Sequence, residues 1–350
     1  MEDYAARRPF SSFLPGIAGP LGTPLWVFYV NRGQAIASFG VASKDHPIME
    51  FQPANKAYQT TPWTGFRTFV KVQRAAESIL YEPFSPWQSD DAARMLIGMN
   101  ELELQTISAA HGLQTTVRYF TLPGETIAAL VRQVTLTNLD AAPLALEVLD
   151  GLPQVIPYGV DNWQLKEINR TIEAWMQVVN LENGVPFYCL KASAADTVEV
   201  GAIQAGYFTL AFVSEGTASR LLPALVDPAL VFGQNTALSA PDRFQREPLA
   251  ALLAQRQITT GKTPCGFFGL NHTLEPGASL TLHAIIGHAH TLAQLSRQQG
   301  RFTQVTYLAE KRAEAHALTQ RLSDTVATQT GLPSFDAYCR QTFLDNVLRG

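Results

Sequence analysis

The sequence predicts a mainly β protein: a large two-sheet antiparallel sandwich followed by C-terminal helices. Three observations predict it. Short runs of β-formers recur through the first two-thirds of the chain. Clusters of Gly, Pro, Asn and Asp separate them. A helical period replaces the strand pattern only near residue 302.

The first strand is Leu25–Val30, a continuous apolar run. Asn31-Arg32-Gly33 then turns the chain into a second strand from Gln34 to Val41, an Asn-X-Gly hairpin signal. Further strands are predicted at 65–72, 114–122, 129–138, 144–153, 173–181, 186–193 and 207–214, and within 265–289. Turn chemistry at 122–125, 138–143, 182–184 and 275–279 divides them. So many strands without intervening amphipathic helices favour an antiparallel sandwich, too long for an immunoglobulin-like module. Residues 218–262, broken by Pro223, Pro228, Pro241 and Pro248, read as loop with a short helix near 249–257.

From Phe302 to Gln329 the apolar residues Val305, Leu308, Ala315, Leu318, Leu322 and Val326 form a helical stripe. Gly331-Leu332-Pro333 ends it. Ser334 is placed to cap a final helix, with Asp336 in its first turn and Phe335, Cys339, Phe343 and Val347 as its apolar face.

At 350 residues the chain is long enough for a large core. It is 46% hydrophobic and 16% charged, with a net charge of −4. That composition is globular. No basic run interleaves with aromatics, so a nucleic-acid partner is not expected. The acidic start and the absence of an apolar run of about 18 residues give neither a secretory leader nor a membrane span. Three widely spaced cysteines, Cys189, Cys265 and Cys339, fit buried thiols in a reducing compartment. The expected location is cytoplasmic.

Six segments, in order, carry a family resemblance: 24–41, 44–59, 65–71, 134–175, 270–289 and 335–350. Together they resemble the N-terminal β-sandwich and following helix of family-94 glycoside phosphorylases. These include cellobiose phosphorylase, 1,2-β-oligoglucan phosphorylase and the phosphorylase-like region of cyclic β-1,2-glucan synthases. The 1,2-β-oligoglucan type is the nearer likeness. The resemblance implies a galactose-mutarotase-like sandwich over 1–300, a linker helix over 301–330, and at 331–350 the first helix of an (α/α)6 barrel whose remainder is missing. It also implies inverting phosphorolysis of a β-linked gluco-oligosaccharide, with inorganic phosphate as co-substrate and an Asp on the barrel as acid. Neither the acid nor the phosphate site is expected within residues 1–350, so no catalytic residue is assigned and the chain is expected to be inactive alone. Implied partners are the missing barrel, in cis or from a split gene, and a second copy in a homodimer. A stand-alone carbohydrate-binding protein is the alternative. An aldose mutarotase would need a facing His and Glu, which no motif marks.

The best local site candidate is 161–171, read as a polar loop between strands. Asn162, Trp163, Asn169 and Arg170 are residue types that bind sugars, through an aromatic face and planar hydrogen-bonding groups. Asn31, Arg32 and Gln34 in the hairpin, and Asn55, Lys56 and Tyr58 after Pro53, suit loop–loop scaffolding better than ligand binding. Arg67 reads as a strand arginine paired across the sheet. Asp45, His46 and Glu50 are interrupted by Pro47 and read as a turn. His283, His288 and His290 are too few for zinc and read as polar residues at a strand edge, so no metal or cofactor is expected.

Overall fold

The computed structural model describes residues 1–16, 21–74, 77–87, 91–193, 201–215 and 218–348. The chain begins with β1 (Ser11–Leu14), β2 (Leu25–Val30), β3 (Ile36–Val41) and β4 (Pro47–Met49), followed by helix α1 (Ala54–Thr64). Then come β5 (Arg67–Arg74), β6 (Glu77–Tyr81), β7 (Ala92–Ile97), β8 (Glu101–Ser108), β9 (Leu113–Thr121), β10 (Ala128–Asn138) and β11 (Leu144–Leu152). Two short helices, α2 (Asn162–Glu167) and α3 (Asn169–Ile172), lead into β12 (Met176–Val179), β13 (Phe187–Leu190), β14 (Gly206–Glu215), β15 (Ala218–Leu221) and β16 (Ala224–Leu225). Helices α4 (Ala229–Phe232), α5 (Asp242–Arg246) and α6 (Leu249–Leu253) precede β17 (Gly266–Leu274) and β18 (Ser279–Ala289). The chain closes with α7 (Leu292–Phe302), α8 (Val305–Asp324) and α9 (Pro333–Leu348).

The strands pair antiparallel in three sheets. A nine-stranded sheet runs β12-β13-β14-β18-β10-β9-β8-β7, with β15 also on β14. A five-stranded sheet runs β16-β17-β11-β5-β6, and β1 to β4 form a small third sheet in chain order. The two large sheets face each other across the main core, where Val117, Leu130, Leu282 and Ile286 meet Val70, Val72, Val148 and Phe268. Val27, Tyr29 and Phe39 of the small sheet close one end of that core. The expected large antiparallel sandwich is therefore the architecture found, with the small sheet added.

Both large sheets are also covered on their outer faces, which explains strands that are apolar at nearly every position. On the nine-stranded sheet, Phe120, Val131, Phe208 and Ile285 pack against Leu295, Phe302 and Leu308 of α7 and α8. On the five-stranded sheet, Phe69, Leu149 and Phe267 pack against Leu230, Phe232, Phe244 and Leu249 of α4 to α6. The Pro-broken segment 218–262 is mostly connecting chain, as expected, with the short helix near 249–257 present as α6; β15, β16, α4 and α5 are added to it. Pro228 and Pro248 stand at helix starts, where a missing N–H costs nothing.

Other expectations are corrected. The PANKAY stretch is the first half of α1, despite its polar composition. Pro53 stands at its N-cap, and buried Ala57 packs beneath Trp26 and Phe28 of β2. Asp45 and His46 lie in the bend and turn before β4, as expected, and Pro47 opens that strand, a tolerated position. Residues 173–175 form a 3₁₀ turn, so the predicted strand shortens to β12. The stripe from Phe302 is divided: Phe302 ends α7 and α8 stops at Asp324, before Gly331. On α9 the buried positions are Leu344 and Leu348, which meet Leu318 of α8, while Phe335 is half-exposed.

A buried polar network ties the sheets together. Arg132 on β10 donates from Nη2 to Asp150 Oδ1 at 2.7 Å and from Nε to Oδ2 at 3.2 Å. Thr68 of β5 donates to the same carboxylate at 2.6 Å, and Arg132 also donates to Tyr119 and Gln34. Gln34 therefore has the scaffold role expected of it. Asn31 does too: it donates from Nδ2 to Tyr4 O at 2.9 Å and Arg8 O at 3.0 Å, and accepts from Phe10 N–H at 2.8 Å.

A candidate carbohydrate cleft beside the sandwich edge

The sequence-predicted residues lie together in the chain but do not converge. Segment 161–172 is helical, because Asp161 and Gln164 form a reciprocal capping box that starts α2. Asn162 is buried, with Oδ1 lacking a partner among the described residues. Trp163 is 63% exposed, and Asn169 and Arg170 also face solvent. None of the four lines either cavity described below.

The histidines are not at an edge. His283 and His288 sit on β18, in the middle of the nine-stranded sheet, and both are buried. His283 Nδ1 lies 3.1 Å from Gln133 Nε2 and its ring stacks on Phe212 at 4.9 Å. His288 packs 5.1 Å from Tyr158 and 5.0 Å from His290. Burial lowers both pKa values to about 4. No group of three metal-ligating side chains occurs among the described residues. Glu50, just past β4, has its pKa raised by burial.

A concavity lies where α1 meets the end of β6. Gly65 turns the chain from α1 into β5, which sets Trp63 beside Arg67. Past β6, residues 82–87 bring Glu82, Ser85 and Trp87 back over the same spot, with Ser85 N–H donating to Glu82 O at 3.3 Å. Trp63 and Trp87 pack ring on ring, with centroids 3.5 Å apart and planes inclined by 32°. The Arg67 guanidinium lies 5.8 Å from the Trp63 centroid. Trp87 is 53% exposed, so a broad indole surface is left to solvent. An indole held this way is a stacking platform for the C–H face of a sugar ring.

Beneath the platform Arg67 grips Glu82 with two bonds, Nε to Oε1 at 2.6 Å and Nη2 to Oε2 at 2.8 Å. This is the strand arginine pairing that the sequence suggested. The same guanidinium donates to Leu238 O at 2.5 Å and to Ser239 O at 3.0 Å, fixing the far wall. Burial raises the Glu82 carboxyl above its ordinary range, against the lowering by Arg67.

Two cavities meet at this point. One, of about 590 Å³, is walled by Trp63 and Trp87 and floored by Glu82, Ser85, Ser239 and Gln245. The other, of about 380 Å³, lies between the N-terminal residues and β7 and is lined by Asp3, Tyr4, Glu82, Phe84, Asp91 and Thr106. Asp3 N–H donates to Ala93 O at 2.7 Å, which sets the N-terminal segment along β7 as that cavity's wall. Both volumes fall in the range of small-molecule sites, about 300–1,000 Å³.

Backbone strain is concentrated around the cleft. Six non-glycine residues have positive φ among the described residues. Phe84 (64°) and Asp3 (46°) line the smaller cavity, and Leu238 (54°) presents the carbonyl that Arg67 holds. Positive φ is unusual for bulky Phe and Leu, and such strain gathers at ligand clamps. Sequence reading missed the site because its parts come from residues 3–6, 63, 78–87, 91–93, 106 and 239–245. The signal available was the pair of tryptophans on either side of Glu82 in the chain, just past a strand. Trp63 and Trp87 stand 24 positions apart and become neighbours only through folding.

No family model and no curated protein matches the chain. Among solved structures it is similar to a polysaccharide lyase (12% identity, TM-score 0.41, covering 79% of this chain and 34% of that one). It is also similar to a bacterial glucoamylase complexed with acarbose (6%, TM-score 0.39, 97% and 40%). A third is a protein from Escherichia coli K12 named as an aldose 1-epimerase (10%, TM-score 0.35, 80% and 99%). The chain thus spans well under half the length of the first two.

Proposed function

We propose that this chain is the non-catalytic sandwich part of an inverting β-glucan phosphorylase, most like the 1,2-β-oligoglucan type, and that it holds a β-linked gluco-oligosaccharide in the Trp63–Trp87 cleft. The six ordered segments that resemble the family support the first half. The observation that carries the second is the exposed Trp87 indole beside an arginine-clamped Glu82. An aromatic platform with a fixed acceptor is what sugar recognition requires.

In this reading the chemistry belongs to a helical catalytic unit that carries the acid and the phosphate site, and the sandwich caps it and supports a homodimer. Nothing in the cleft demands a metal or cofactor. Glu82 is committed to Arg67 and serves as an acceptor rather than a proton donor.

The test is calorimetric titration of the intact chain with linear β-1,2-linked glucotriose, together with an assay of phosphate consumption. Saturable binding without phosphate uptake supports the reading. Phosphorolysis by the chain alone would overturn the non-catalytic role, and absence of binding would overturn the sugar contact.

A further inference from the structure

The two cavities adjoin. Glu82 and Ser85 line both, so the 82–85 segment is the neck where they meet, and Phe84, at positive φ, lies within it. The larger chamber offers the indole wall. The smaller offers Tyr4 and Phe84 as apolar surface, with the Asp3 and Asp91 carboxylates and the Thr106 hydroxyl. Asp91 accepts from the Tyr81 hydroxyl at 3.1 Å through Oδ2, and a carboxylate's two oxygens can accept further bonds.

Charge restricts the occupant further. Asp3, Glu82 and Asp91 border the two cavities, and no Lys, Arg or His is among the described lining residues of either. Arg67 neutralises Glu82 from beneath. Carboxylates accept hydrogen bonds from sugar hydroxyls, whereas a phosphate or uronate brought here meets like charge without a basic partner. Because Glu82 lines both cavities, one sugar ring fills one chamber, while a chain must pass Glu82 to fill both.

Resting on the proposed glucan binding, we infer that this is a two-chamber site for an uncharged β-linked gluco-oligosaccharide of three or more units, and that it excludes sugar phosphates. One unit stacks on Trp87, the neck hydroxyls donate to Glu82, and the remaining units occupy the chamber beside Tyr4 and Asp91. The site holds polymer chain and does not hold the phosphorylated product.

The experiment compares glucose, linear β-1,2-linked glucobiose, glucotriose and glucotetraose, and glucose 1-phosphate, on the wild type and on three variants. Ala92→Trp and Ala5→Trp fill the smaller chamber from opposite walls, and both positions are exposed, so the fold tolerates them. Trp87→Ala removes the platform. Wild-type affinity should rise at least about tenfold from biose to tetraose. Either chamber-filling variant should flatten that rise to the biose level, while Trp87→Ala weakens every length. Equal affinity for all lengths, or an unchanged rise in both filled variants, would overturn the two-chamber site and leave glucan binding standing. Binding of glucose 1-phosphate as tight as that of biose would overturn the exclusion of anions. Failure of every oligosaccharide to bind would overturn the underlying reading as well.

Discussion

Arg67 and Glu82 form a two-pronged ion pair at 2.6 and 2.8 Å directly beneath the Trp63–Trp87 stack, with only 2% and 11% of their side chains exposed. One interaction therefore sets both the stability of the strand edge and the shape of the cleft. The guanidinium also holds the carbonyls of Leu238 and Ser239, so the α4–α5 connection is tied to the same point.

Glu82→Gln keeps the shape and removes the charge, leaving Arg67 buried without a carboxylate. Breaking a buried pair on one side costs about 3–5 kcal/mol. Urea unfolding at pH 7 should show a loss of that order. A loss below about 0.5 kcal/mol, typical of a neutral surface change, would mean that solvent reaches the pair.

Trp87→Ala should reduce oligosaccharide affinity about tenfold, which corresponds to about 1.4 kcal/mol of lost contact. Stability should change little, because more than half of the indole is exposed. Calorimetry and a thermal melt on the same sample separate the two effects. An unchanged Kd places the glucan elsewhere.

His283 and His288 give the chain an acid-sensitive core. Their folded pKa values, about 4, lie below the unfolded value of about 6.5. The unfolded state therefore binds more protons between those limits. Stability from these groups is present above about pH 6.5 and is lost as pH falls toward about 4. For His288 the neighbouring His290 and His46 add in the same direction. Each histidine accounts for up to roughly 3 kcal/mol across that window, at about 1.4 kcal/mol per pH unit. His283→Phe should flatten the pH dependence of urea midpoints below pH 6. Identical slopes in mutant and wild type would contradict the assignment.

The α8–α9 contact rests on few residues: Leu344 and Leu348 of α9 meet Leu318 of α8, with Leu322 at the margin. Leu344→Asp should release α9 and leave the sandwich core intact. Hydrogen exchange should then show fast amides across 333–348 and unchanged protection in β10 and β18. Loss of protection throughout would show that α9 belongs to the global core.

The sandwich was legible because its strands are written twice, in β-forming runs and in the turns that bound them. Leu25–Val30 and the Asn31–Gly33 turn were read directly, and so was the pair of strands within 265–289. Two elements and the buried face of a third were not. Helix α1 is polar and Thr-rich, and its burial comes only from Ala57 and its neighbours against β2. Strand β8 does alternate, with Leu102 and Leu104 inward, but Glu101 and Glu103 dominate its composition. Helix α9 carries apolar residues around much of its circumference, so the sequence favoured the Phe335–Phe343 stripe, whereas contact with α8 selected Leu344 and Leu348. The candidate site was hidden for a different reason. A capped helix replaced the polar loop at 161–171, and the cleft joins residues far apart in the chain.

The most direct test of the glucan cleft is a titration followed through the indole N–H resonances of the five tryptophans, Trp26, Trp63, Trp87, Trp163 and Trp175. With linear β-1,2-linked glucotetraose, the Trp87 and Trp63 signals should shift together and saturate, while Trp163 stays fixed. Movement of Trp163 with Trp87 unmoved, or no movement of any indole, would contradict the account.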